Sequence, residues 1–243
     1  MIRIGRCKYD SHGKRTDPTY PNFTPILVMM KGHSQWGILG PYDLVDDKNR
    51  TVENIYQFSK LYKKVPATTQ HYSRWNNKVI WSHPAETHYS NDIILPAYWQ
   101  WREKGMNNPY AVRYPAGYTN RHSCLFSIKE GSTDHLDYID ARKQIYVPTY
   151  CELVKKQPKF IELKNKLANG ENLLIIEVDG PHQESLSYYQ ETWNVDDNFI
   201  ENDTILASEE NINIMLNDDK HSFGHGYCLA MALLDMEKLA ELK

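Results

Sequence analysis

Arg50-Thr-Val-Glu-Asn-Ile-Tyr-Gln-Phe-Ser-Lys-Leu-Tyr62 is the stretch on which the reading of this chain turns. Thr51 suits a helix start, because its hydroxyl can accept from an N–H of the first turn. A helix running from there until Val65-Pro66 ends it stacks Glu53, Gln57 and Lys60 at i, i+4 and i+7, along one face. Ile55, Phe58 and Leu61 recur at steps of three and mark an adjoining apolar face that would hold the helix to a core. A carboxylate, an amide and an amine on one face can act as acid/base, orienter and nucleophile. The same spacing also describes a solvated stripe whose carboxylate and amine stand too far apart to pair.

Working outward, Ile26 to Met30, bounded by Pro25 and Gly32, reads as a buried strand, with a second short strand at Tyr42 to Val45. Asp46-Asp-Lys-Asn49 is a turn leading into the helix. Thr68 to Ile80 is expected as another helix, and Ala85 to Glu103 as a broken one, with Pro96 at a start or kink. Gly105 to Tyr118 is a loop holding Tyr110 and Arg113, side chains suited to bases and phosphates. Cys124 to Ile128 is strand-like. Leu136 to Tyr150 carries Arg142 and ends at Pro148, and Tyr150 to Leu167 is an amphipathic helix interrupted or capped near Pro158 and stopped by Asn169-Gly170. Leu173-Leu-Ile-Ile-Glu-Val178 is the clearest buried strand, with Glu177 and Asp179 directed to one side. Phe223 to Leu239 is a helix after Gly224-His-Gly226, whose first N–H groups could hold a phosphate.

Thr51-Val-Glu53, Gln57 and Lys60 together resemble the signature S/T-V-E-H-x-x-Q-x-x-K of the NADAR (YbiA-like) family, with Asn54 where that family usually has His. Trp36 to Val45 is loosely similar to the family's aromatic, Pro-containing segment before that helix. Lys159-Phe160 through Glu177 is similar to its helix, Gly turn and strand, and Gly224 to Leu234 to its closing helix. The resemblance implies a predominantly helical α+β single domain with a few short strands, in which 182–219 is a family-atypical insertion, lid or partner surface. It also implies an N-glycosidase that cuts between ribose and a base nitrogen. The implied substrate is ADP-ribose on guanine in DNA or RNA, the product of toxin-type modification, or a ribosylamino-pyrimidine intermediate of the riboflavin pathway.

Such a bond breaks through an oxocarbenium-like state that needs a carboxylate near C1′ and a proton for the leaving nitrogen. On spacing plus resemblance, Lys60 is the amine nucleophile or ribose positioner, Glu53 the general acid/base and Gln57 the orienter. Glu177 or Asp179 supplies a second carboxylate. Trp36, Tyr42 and Tyr110 are expected as stacking or pocket-wall residues, Arg142 on a pyrophosphate, Arg113 near the nucleotide and Gly224 at a phosphate. A non-catalytic module holding ADP-ribose or a nucleotide is the competing expectation, and an interaction protein using the acidic 182–219 segment a third.

Composition bounds these readings. The apolar share is 41% and the charged share 24%, ordinary for a globular protein. Lys and Arg number 28 against 31 Asp and Glu, a net charge of -3 that argues against coating long nucleic acid by charge alone. A flipped or single-stranded base remains compatible. Cys7, Cys124, Cys151 and Cys228 are scattered, and the histidines lack metal-binding spacing, so reduced thiols, no metal, no cofactor and a cytoplasmic, membrane-free setting are expected.

Overall fold

A computed structural model of the chain describes residues 1–29, 34–73 and 75–241. The fold is α+β, as expected, with helices outweighing short strands. Among the strands are β1 (Ile2–Arg6), β2 (Thr24–Leu27), β3 (Lys60–Tyr62), β4 (Thr68–Ser73), β5 (Asn76–His83), β6 (Cys124–Ser127), β7 (Leu173–Glu177) and β8 (Thr204–Leu206). The principal helices are α1 (Val52–Gln57), α2 (Pro96–Met106), α3 (Val147–Val154), α4 (Pro158–Ala168), α5 (Leu186–Trp193), α6 (Glu209–Asn217) and α7 (His225–Leu233). They form two compact units, residues 1–43 with 147–243, and residues 44–146. No helix among the described residues is long and apolar enough to cross a membrane.

The first unit is built on a sheet ordered β8-β1-β7-β2, with β1, β7 and β2 parallel and β8 antiparallel to β1. The unbroken apolar run of β7 suits a strand covered on both faces, and every residue from Leu173 to Glu177 is buried. Pro25 lies inside β2 rather than bounding it. Lacking an N–H, it is tolerated because β2 is the last strand in the sheet order. Met30 and Gly32, the far end of the expected strand, lie outside the described residues.

Helix α7 is buried along its whole length and packs on α3, β7 and β1. It is shorter than the expected Phe223 to Leu239: Asp235 takes a positive φ of 57° beyond its end, and a 3-10 turn, Glu237–Glu241, follows. The 182–219 segment is built into the first unit. It contributes β8 to the sheet and α6 to the core, where Ile212, Met215 and Leu216 are fully buried. Pro148 sits in the first turn of α3 instead of ending a helix, and the break expected near Pro158 is where α4 opens. Gly37–Leu39 is a single 3-10 turn, and Val45 makes only an isolated bridge to Thr51, not the expected strand.

In the second unit Thr51 caps α1 as its chemistry demands, accepting from Asn54 N–H at 3.1 Å. The helix stops at Gln57, short of the expected end at Val65-Pro66, because the next residues have stronger uses. The Ser59 carbonyl accepts both the Tyr98 hydroxyl and the Ile128 N–H, and β3 pairs antiparallel with β6. Thr68 to Ile80 is not a helix either, but most of the hairpin β4–β5. Thr68, Thr69, Tyr72, Val79 and Ile80 are the β-branched and aromatic types that favour a pleated surface. Ala85 to Ile94 forms short ladders, and Pro96 starts α2. Phe58, Tyr62, Trp81, Tyr98 and Trp101 form an aromatic core, with ring centroids of Phe58 and Trp101 4.6 Å apart. Gly105 admits the Phe58 ring: a Cβ there would stand 1.9 Å from it.

Candidate functional site

Glu53, Gln57 and Lys60 do meet, by a route other than one helix face. Glu53 and Gln57 lie one turn apart on α1, and the bend at Phe58-Ser59 returns Lys60, the first residue of β3, to them. Lys60 Nζ donates to Gln57 Oε1 at 3.0 Å, and Gln57 Nε2 donates to Glu53 Oε1 at 3.1 Å. The amide is thereby oriented, its oxygen toward the amine and its NH₂ toward the carboxylate. Tyr56 adds its ring 4.5 Å from Nζ.

Burial pulls the Lys60 pKa below its usual value, against the opposing pull of Cys124 and Glu53. Among the described residues the Lys60 amine has an amide oxygen, not a carboxylate, as its hydrogen-bond acceptor. A desolvated amine without a directly bonded counter-charge spends more of its time neutral, the form that attacks carbon. Glu53 is itself 6% exposed.

Asn54, the departure from the family pattern, is fully used. Its Nδ2 donates to the carbonyls of Asn108 and Tyr110, each at 3.0 Å, and its Oδ1 accepts from Val112 N–H at 2.8 Å. It fastens the 108–112 loop to α1. Within that loop Tyr110 packs on the hairpin, its ring 5.6 Å from Tyr72 and 4.4 Å from Lys78 Nζ. Arg113 is exposed beside Tyr114. Arg142, 1% exposed, lies in the π-helical stretch Arg142–Tyr146 with its guanidinium 4.6 Å over the Tyr138 ring. It lowers the Tyr56 pKa, although burial and Tyr138 leave that pKa raised overall.

The carboxylates of the first unit are arranged differently. Glu177 is wholly buried: Oε1 accepts from Val178 N–H at 2.7 Å, Oε2 from Gly226 N–H at 2.8 Å, and His225 Nδ1 stands 3.0 Å from Oε2. His225 Nε2 lies 3.2 Å from the Val28 carbonyl. With an acceptor at each ring nitrogen, the imidazole must donate twice, which requires the cation. Burial opposes both charges, yet the mutual attraction prevails: the Glu177 pKa is lowered and the His225 pKa raised. A Cβ at Gly224 would come within 2.8 Å of both Glu177 Cδ and Asp179 Cβ. The start of α7 therefore holds an anion, but the anion is the chain's own Glu177, which corrects the expected phosphate site at Gly224. It also removes Glu177 as an available second acid. Asp179, partly exposed, accepts from Ser222 Oγ at 2.6 Å.

Trp36 is a core residue, 3% exposed beneath Lys159 Nζ at 5.0 Å, not an open stacking wall. Tyr42 is half-buried. His182, Glu184 and Asp203 cluster as metal ligands can, but Lys8 Nζ bonds Glu184 at 3.0 Å and Asp203 at 3.1 Å, supplying the positive charge itself.

Sequence reasoning missed a cavity of about 510 Å³ in the second unit, lined among others by Arg102, Trp99 and Lys129. Its signal was present: Arg102 stands at core spacing with Tyr98 and Gly105 on α2, an odd place for a charge. No family model, curated protein or solved structure matches the chain, so the NADAR resemblance rests on the motif residues themselves.

Proposed function

We propose that this chain is an N-glycosidase that cleaves the bond between a ribose and a base nitrogen, its substrate being ADP-ribose attached to guanine in DNA or RNA. The observation that carries the reading is the relay from the Lys60 amine through the Gln57 amide to the Glu53 carboxylate. The residues of the family-like motif, brought together from a helix and a strand, form one hydrogen-bonded unit around a desolvated amine.

In this reading Glu53 delivers a proton to the base nitrogen as the C1′–N bond breaks, and the base leaves with that electron pair. The Lys60 lone pair bonds to C1′. The ring oxygen takes up a proton as the sugar opens to an imine, and water then hydrolyses the imine, releasing the sugar and restoring the amine. Gln57 holds the two reactive groups apart, so they do not neutralise each other as an ion pair.

The test uses an oligonucleotide carrying ADP-ribosyl-guanine, with sodium borohydride and mass spectrometry. The expected results are release of ADP-ribose and a reduced adduct on Lys60. Glu53→Gln should slow release by about 10²–10⁴-fold, the usual range for general acid–base help. Lys60→Ala should abolish the adduct. Undiminished turnover in both variants overturns the assignment, and tight ADP-ribose binding without turnover by the unmodified protein marks a binding module instead.

A further inference from the structure

We infer that the Arg102 cavity is a second ligand site, taking a small phosphorylated molecule with a flat ring, such as a mononucleotide. Arg102 is 6% exposed. Its contacts among the described residues are the Tyr98 hydroxyl, 3.3 Å from Nη1, and the Trp99 ring, 5.6 Å from the guanidinium carbon. Neither offers a negative charge. A buried guanidinium without a counter-ion is costly, and its remaining N–H groups need acceptors. Arg102 also borders a cavity large enough for a small ligand.

The other charges around the cavity sharpen the choice. Arg50 is taken by Asp46 at 2.7 Å and Glu130 at 2.9 Å, and Lys48 by Glu130 at 3.2 Å, so those four groups balance. That leaves Arg102 and Lys129 against Glu103 among the charged lining residues, a surplus of one positive charge. Two unpaired cations bordering one space fit a phosphate, whose oxygens a guanidinium can grip in pairs. Trp99, 45% exposed, offers a flat face for a ring. None of the glycosidase residues lines this cavity, so the site stands apart from the reaction assigned above.

The experiment is calorimetric titration of the full chain carrying Glu53→Gln and Lys60→Ala, with AMP, adenosine and inorganic phosphate in separate arms. Tryptophan fluorescence is read in parallel. AMP should bind at least tenfold tighter than adenosine or phosphate and quench fluorescence. Arg102→Gln should weaken AMP tenfold or more. Lys129→Ala, at an exposed position that does not threaten folding, should weaken it severalfold and reduce the salt dependence. Trp99→Leu should erase the quench and bring AMP toward phosphate in affinity. No AMP binding at millimolar concentration, or binding indifferent to both Arg102→Gln and Lys129→Ala, overturns the proposal. Because the background already lacks the glycosidase groups, either result leaves that activity to be judged separately.

Discussion

Glu53 and Glu177 are both buried glutamates near a nitrogen base, and they are held in opposite ways. Glu177 meets His225 directly and takes backbone N–H groups as well, a closed pair that lowers one pKa and raises the other. Glu53 is linked to Lys60 through the Gln57 amide, and the amine's pKa falls instead of rising. A carboxylate locked to its cation anchors a fold. One bridged to its amine by an amide leaves that amine without the direct charge that would raise its pKa. Proximity of acid and base therefore does not by itself mark a site; the manner of pairing does.

The comparison breaks most visibly in stability. Glu177→Ala leaves the His225 charge buried without its partner and should cost about 3–5 kcal/mol in urea unfolding. Glu53→Gln keeps the shape and should cost well under half of that. Equal losses would erase the distinction. Gly224→Ala forces a methyl against Glu177 at the end of β7 and Asp179 just beyond it, and should cost about 1–3 kcal/mol by the same measurement.

The smallest effect is on pH dependence. The contribution of His225, whose pKa is raised, is full below its usual 6.5 and fades as pH climbs through the folded value. That of Glu177, whose pKa is lowered, is full above its usual 4.5 and fades as pH drops through the folded value. The melting-temperature gap between the native chain and His225→Gln should therefore be widest between these values and narrow on either side. A constant gap would deny the pair its charges.

Much of this was legible beforehand where local and tertiary demands agree. Thr51 caps, Gly170 stops a helix with its φ of 85°, and β7 is buried as its apolar run dictates. The α+β class follows from such elements. Reading failed where distant partners outbid local preference. Ser59 gives its carbonyl to Tyr98 and Ile128, so the helix through Lys60 never forms, although the three motif residues still converge. The hairpin β4–β5 was misread because its polar sequence lacks a clean alternation; the pairing itself shifts register between Gln70 and His71. The phosphate expected at Gly224 was misplaced because nothing in the linear chain shows that Glu177 accepts from Gly226 N–H at that helix start. The spacing of Arg102 with Tyr98 and Gly105 was visible in the chain, but its lack of a counter-ion among the described residues is a property of the folded surroundings.

The order in which these strands are made has its own consequence. β1 pairs Ile2 with Leu173 and Ile4 with Ile205, whereas residues 44–146 contain all of their own ladders. On the ribosome, Ile2-Arg-Ile4 emerges before either of its sheet neighbours is translated, while the intervening unit can already fold. Chaperone demand should thus concentrate on β1 in the nascent polypeptide, and shortening the chain before Leu173 should leave that strand without either partner.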